Sequence, residues 1–251
     1  MITLVGLLLA LAGFLLYFLL IFGFRRFTYR TWTFDAVVAA GTVLAVIGWA
    51  LGGRSIVALI ALLLGVAWFL VSRRELRLVG SKQLRLRKGD RIPAFAVLTT
   101  DGKPVTEHDL IAGAPALLVL YRGWWCPSSK SQLDELVHGY ERLHKAGLRI
   151  FAGSVDGPAE ATPLQQRVGD KITILCSVPE ALLDEVGVRD QRGAPWYDRI
   201  LYGAAQQDIS MPAALVIDTS GRITFAYRST RLDHWVRVAD ILADLKVLPV
   251  S

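Results

Sequence analysis

The first 72 residues hold three apolar runs, Ile2 to Phe24, Phe34 to Leu51 and Ser55 to Val71, with Asp35 as their one internal acid. A hydrocarbon core about 30 Å thick takes about 20 apolar residues per helix, so the first run is long enough to cross and the other two lie near the lower limit. So much apolar sequence would also have to be buried somewhere in a soluble protein, and buried helices of that kind are the less economical reading. We read three membrane spans over residues 1–72, the last two joined through Gly52-Gly53-Arg54 as a tight helical hairpin. The first run is expected to be retained rather than cleaved. It has no basic residue before it, it is too long for a signal peptide, and Arg25-Arg26 follows it instead of small residues.

Charge divides the chain at the same place. Residues 1–89 carry eleven Lys or Arg against two acids, whereas residues 90–251 carry seventeen against twenty, so the overall +6 is an N-terminal excess. That excess reads as juxtamembrane charge and gives no reason to expect a nucleic-acid partner. With three spans, Arg25, Arg26, Arg30, Arg73, Arg74, Arg77, Lys82, Arg85, Arg87 and Lys88 lie on one side and Arg54 on the other. The positive-inside rule then places the N-terminus outside and everything after the basic linker, residues 73–88, in the cytoplasm.

Residues 89–251 are long enough for one well-buried core. Their pattern is strand (94–99), a turn at Asp101-Gly102, strand (116–121), helix (127–146), strand (148–154), helix (159–168), strand (172–176) and helix (179–186). An irregular stretch follows, then strand (213–218), a turn at Thr219-Ser220-Gly221, strand (222–228) and helix (233–245). Strands alternating with helices and ending in a hairpin indicate an α/β sheet, parallel at its centre and antiparallel at its edge. The two cysteines, Cys126 and Cys176, make no disulfide framework and suit a reducing compartment with reactive thiols at least as well as an oxidising one. The four scattered histidines and the absence of paired CxxC or HExxH motifs give a metal site little support, and no cofactor is expected.

Cys126 has the most informative surroundings. ALLVLY (116–121) reads as a buried strand, and Leu133, Leu136, Val137, Tyr140 and Leu143 recur at helical spacing after it, so Cys126 opens a helix. Free N–H groups and the positive end of the helix dipole favour a thiolate there, which is the reactive form. Pro127 fits a first helical turn, where its missing N–H is not needed. Arg122, four residues before the thiol at a strand end, is a second candidate, and Trp124 and Trp125 either pack the core or wall and dry the site. The alternative for Cys126 is an inert buried thiol.

The order strand, WCPxx, helix, then Met211-Pro212-Ala213 entering a strand before Gly221 and a hairpin, resembles the thioredoxin fold. The closer similarity is to the alkyl hydroperoxide reductase and thiol-specific antioxidant branch, the peroxiredoxin-like redoxins, with Gly89-Asp90-Arg91-Ile92-Pro93-Ala94-Phe95 and Asp101-Gly102-Lys103-Pro104-Val105 matching its opening. The resemblance covers residues 89–245 and none of the membrane region. It implies a central mixed sheet with flanking helices, Cys126 as the redox residue, a hydroperoxide or disulfide substrate, and an external thiol reductant. It also implies a cis peptide at Pro212 facing Cys126, where the residues alone equally allow an ordinary strand-edge proline. Two departures stand out. Ser129 replaces the second cysteine of Cys-x-x-Cys, and Gly123 and Val119 occupy the positions where peroxiredoxins carry Thr or Ser and Pro.

Other residues keep two readings. Ser129 either faces solvent or bonds the Cys126 sulfur. Arg228 is expected to be a solvated strand residue. Cys176 ends a strand two spacings of about 4.8 Å from the strand before Cys126, farther than the roughly 7 Å a disulfide allows; it is read as a packed thiol, with a resolving role as the alternative. Asp190 to Ser210, with Trp196, Tyr197 and Tyr202, is long for a connector and reads as a lid, or else as a surface insertion with one short helix. Three functions follow. The first is a single-cysteine reductase of hydroperoxides at the membrane, the second a thiol–disulfide exchanger without peroxidase activity, and the third a non-catalytic binding module.

Overall fold

In the computed structural model the described residues are 1–24, 32–76, 84–231 and 234–246. Arg25, Arg26, Arg30, Arg77, Lys82 and Asp233 therefore lie outside them, as do the side chains of Arg74 and Tyr197. The chain divides into two compact units, the N-terminal helices and the domain that follows.

The N-terminal unit is built from α1 (Ile2–Phe18), which continues as a wider helical turn over Leu19–Gly23, α2 (Trp32–Ala50) and α3 (Ser55–Leu76). All three are long and apolar enough to cross a membrane. Buried positions on α1 (Thr3, Gly6, Ala10, Gly13, Tyr17) and on α2 (Phe34, Val38, Gly41, Ala45, Gly48) recur every three or four residues, so each helix turns one narrow, mostly small-residue seam inward. A Cβ on Gly41 would sit 2.7 Å from the Gly6 carbonyl oxygen, and one on Gly6 equally close to that of Gly41. The two backbones therefore touch along the seam. Where it ends, Tyr17, Phe34 and Trp68 form an aromatic plug with Val38, and the Trp68 indole donates to Asp35 at 2.8 Å, giving the one acid within the apolar runs a partner. Gly52 holds a positive φ of 90° in the α2–α3 turn, which a Cβ would strain.

The second unit is a seven-stranded sheet in the order β2-β1-β5-β4-β3-β8-β9. Its strands are β1 (Ala96–Thr99), β2 (Pro104–Thr106), β3 (Ala116–Leu120), β4 (Arg149–Gly153), β5 (Thr173–Cys176), β8 (Ala213–Ile217) and β9 (Ile223–Arg228). A two-stranded ladder, β6 (Arg189–Asp190) with β7 (Ile209–Ser210), stands apart. The central β3, β4 and β5 are parallel, and β1 and β8 pair antiparallel to their neighbours. Every residue of β3 and β8 is buried, as expected of strands covered on both faces.

Helices α4 (Glu107–Ile111), α5 (Pro127–Lys145), α6 (Pro158–Val168), α7 (Glu180–Val186), α8 (Trp196–Tyr202) and α9 (Val238–Lys246) complete the unit. Leu118, Leu120, Phe151, Leu175, Leu183 and Leu215 belong to its main core, each buried Leu contributing about 1.5–3 kcal/mol. This is the thioredoxin-like architecture expected from the sequence. Besides the edge strand β2 after the Asp101-Gly102 turn, two pieces were not anticipated. Thr106 caps α4 through reciprocal bonds with Asp109, and β6–β7 closes the irregular 190–210 stretch, fastened by Arg189 to Glu180, Asp184 and Asp208.

Candidate active site

The carboxyl ends of parallel strands are where an open α/β sheet leaves a crevice, and the candidate residues collect there. In register, Leu120 of β3 pairs with Ala213 of β8 and Gly153 of β4, Gly153 pairs with Leu175 of β5, and Ala213 pairs with Arg228 of β9. Tyr121, Pro212, Arg228 and Cys176 consequently stand at one end of the sheet, with the Cys126 loop leaving β3 at that end.

Cys126 is the N-cap of α5, with Pro127 in the first turn. Its N–H donates to the Gly123 carbonyl at 3.2 Å, closing the loop from 123 to 126. The thiol is only 2% exposed and lies in an apolar cluster with Trp125, Ala194, Ala204 and Ile209, against which Trp124, Val155 and Tyr202 pack. Tyr202, Ala194, Ala204 and Ile209 all come from the 190–210 stretch, so that insertion forms a wall of the cysteine pocket. Trp196, by contrast, is 65% exposed.

Two polar groups reach the sulfur. Arg122 Nη1 points at Sγ from 4.0 Å, while its guanidinium stacks over the Trp125 ring at 5.2 Å. The hydroxyl beside the sulfur is that of Ser128, at 3.2 Å. Ser129 is fully buried and accepts the Arg122 N–H at 3.3 Å, so it neither faces solvent nor is the hydroxyl on the sulfur; it ties the strand end to the helix start. Arg122 Nε is buried with no hydrogen-bond partner among the described residues.

Gly123 has a local cause. A Cβ there would lie 2.5 Å from Trp125 Nε1 and 3.0 Å from Cδ1, so the indole edge occupies the space a side chain at 123 would need. A threonine and this tryptophan placement exclude each other.

Two expectations are corrected. The Met211–Pro212 peptide is trans, since no cis peptide occurs among the described residues. Arg228 is half-buried rather than solvated; its Nη2 points at the Met211 sulfur, and Nε and Nη1 are buried without a hydrogen-bond partner among the described residues. Its burial pushes the guanidinium pKa down, against the pull of Asp190.

Cys176 ends β5 on the far side of β4 from β3. Burial and the nearby Asp156 push its thiol up to about 11, and both cysteines are free. Asp156 itself was not singled out in the sequence. Its Oδ2 accepts the Trp124 N–H at 2.7 Å and the Ser154 hydroxyl at 2.8 Å. Burial, with a smaller contribution from Glu160, pushes its carboxyl up to about 6 despite those bonds.

Comparison with known proteins places the domain. The model of the AhpC/TSA family matches residues 88–226, more than half of the chain. Among solved structures, peroxidoxin BcpB from Mycobacterium tuberculosis is similar at TM-score 0.52 and 16% identity, covering 65% of this chain and 98% of its own. Peroxiredoxin 5 from Alvinella pompejana gives 0.53 and 18%, covering 64% and 98%. A thiol peroxidase from Chromobacterium violaceum gives 0.51 and 18%, covering 68% and 90%. These identities speak for the fold. A sequence search among curated proteins finds no match. A thioredoxin-like sheet, a cysteine capping the helix after its central strand and a family match over 88–226 lead to one conclusion: the chain belongs to the AhpC/TSA family and is a peroxiredoxin-like oxidoreductase.

Proposed function

We propose that the protein is a membrane-held thiol peroxidase in which Cys126 alone reacts with hydroperoxide and an external thiol restores it. The observation that carries this reading is the pairing of a helix-capping thiol, flanked by Arg122 and Ser128, with a second thiol held protonated two strands away. The Cys126 thiolate attacks the outer oxygen of the hydroperoxide, the O–O bond breaks, and the alkoxide leaves as the alcohol by taking up the proton that the thiol released on ionising. The sulfenic acid that remains condenses with one external thiol, releasing water and forming a mixed disulfide. A second thiol then releases Cys126 and departs as the external disulfide. Arg122 supplies positive charge beside the sulfur, and the aromatic wall keeps water from the sulfenate.

Three membrane-length helices support anchoring. The basic residues in the sequence on one side of them support a cytoplasmic domain. Purified full-length protein titrated with hydroperoxide, with mass analysis of the Cys126 peptide, tests the chemistry. One added oxygen per protein, removed by a small thiol, is the expected result, and an unchanged Cys126 would reject it. A reporter fused after Ser251 tests the orientation: cytoplasmic activity is expected, and an extracytoplasmic signal would reverse it.

One observation favours a second reading. Gly123 offers no hydroxyl to a bound peroxide, and Trp125 fills its space. Rapid mixed-disulfide formation at Cys126 without hydroperoxide consumption would make thiol–disulfide exchange the activity.

A further inference from the structure

Asp156 takes no part in the chemistry above, yet three chain segments meet on it. It is 2% exposed. Its carboxylate accepts the Trp124 N–H and the Ser154 hydroxyl, its own N–H donates to Ser154 Oγ at 3.3 Å, and its carbonyl accepts the Ser177 N–H at 2.8 Å. The loop carrying Cys126, the end of β4 and the end of β5 are thereby fixed to one side chain and its backbone. Ser177 is the one non-glycine residue with a positive φ, 55°, among the described residues, so the chain leaves β5 in a strained conformation while making this contact.

The tie to the cysteine loop is direct. Trp124 stands two residues before Cys126, inside the turn closed by the Cys126 N–H and the Gly123 carbonyl. Fixing the Trp124 amide fixes the peptide planes that aim Cys126 at the start of α5. An ionised acceptor makes such a bond shorter and roughly twice as strong as a neutral one.

We infer that Asp156 is a positioning residue for Cys126, whose ionised carboxylate holds the preceding loop in its reactive shape through the Trp124 amide. The inference rests on Cys126 being the reacting group. It does not depend on the substrate being a peroxide.

The ionisable groups acting around Asp156 are Glu160 from α6, Cys176 at the end of β5 and Tyr121 at the end of β3. Glu160 and burial disfavour the carboxylate; in turn, its charge pushes the Cys176 thiol and the Tyr121 phenol up. With a folded value of about 6 against 3.8 for an ordinary Asp, the stability linked to this group is complete below the lower value and lost as pH rises through the upper one. At neutral pH the charge therefore opposes folding. An uncharged Asn would accept the same N–H, so a role in folding alone gives no reason for the carboxylate.

The test uses the full chain in detergent micelles, as wild type, Asp156→Asn and Asp156→Ala. It has three readouts: amide exchange of the 122–126 segment corrected for intrinsic rates, iodoacetamide modification of Cys126 followed by mass, and the melting temperature. In wild type, protection of the segment and the Cys126 rate should fall together as pH drops through about 6. Asp156→Asn should lose that inflection and modify Cys126 about fivefold more slowly at neutral pH, with a melting temperature equal to or above wild type. Asp156→Ala should be slower still. An Asn variant with wild-type protection, rate and pH profile would overturn the inference, as would a slow Asn variant that keeps the inflection. If neither variant folds, the wild-type profile decides, and its passing through pH 6 without a step would overturn the inference. Peroxide turnover is not read, so failure of the peroxidase proposal and failure of this one remain distinguishable.

Discussion

Cys126 and Cys176 lie at the same end of one sheet and both are buried, yet their neighbours differ. Cys126 caps a 19-residue helix and has a guanidinium and a hydroxyl near its sulfur. Cys176 ends a strand, with a carboxylate as its charged neighbour and its thiol raised to about 11. What separates the two thiols is placement at a helix start beside a guanidinium and a hydroxyl against placement at a strand end beside a carboxylate.

The largest effect that can break this contrast is substitution of each thiol. Cys126→Ser should reduce hydroperoxide consumption to background, whereas Cys176→Ser should keep it within about twofold, because β4 lies between β5, which ends in Cys176, and β3, which leads to Cys126, two strand spacings of about 4.8 Å against the roughly 7 Å between Cα atoms that a disulfide allows. Loss in both variants, with a Cys126–Cys176 disulfide seen by mass spectrometry, would replace the one-cysteine scheme by an internal two-cysteine one.

Labelling sharpens it next. A thiol at about 11 is ionised in only about one molecule in ten thousand at neutral pH, so a maleimide should take Cys126 first and Cys176 only on unfolding or at strongly alkaline pH. The linked stability has a definite sign. A thiol raised from 9.0 contributes stability that is full below 9.0 and lost as pH rises through about 11, so Cys176→Ser should flatten the alkaline melting curve. Equal labelling of both cysteines at neutral pH would remove the contrast.

Gly123→Thr should cost about 1–3 kcal/mol of stability by overpacking against Trp125, and slow Cys126 about tenfold if the indole is displaced. Adding Trp125→Ala should restore part of the stability. No recovery in the double variant would show that the glycine serves the backbone rather than the indole. The smallest effect is expected for Arg122→Lys, which keeps the charge but loses the planar stack on Trp125; Cys126 modification should slow about threefold.

The Cys126 surroundings were legible because they depend on neighbours in sequence. Six apolar residues make a covered strand, and Pro127 with a helical apolar period makes a start site. Asp156 was not legible. Its partner Trp124 is 32 residues away, and Ser154-Val155-Asp156 follows a strand without any pattern that singles out a carboxylate. The 189–190 and 209–210 ladder escaped for a related reason, since two residues cannot show a period of two. Ser129 was weighed because it holds a position defined by resemblance, but the geometry of the first helical turn brings Ser128 to the sulfur instead. The Thr106 cap of α4 was readable, since Thr106 and Asp109 have the spacing of a reciprocal cap, and the short helix after it drew no attention. Arg228 could not be placed from sequence because its burial depends on the β8–β9 pairing and on Met211.

The touching backbones of α1 and α2 bear on how the N-terminal unit can vary. With Gly6 and Gly41 each in the place of the other's missing side chain, a single added methyl group at either position must push two main chains apart. The outward positions Leu8, Leu15, Val43 and Ile47 are exposed and have no such constraint. A saturation library over these helices should therefore give a sharply two-valued map, with Leu8 or Ile47 accepting almost any apolar residue and Gly6 or Gly41 accepting none larger than glycine. The register between the two helices would be inherited unchanged through extensive drift of everything around it.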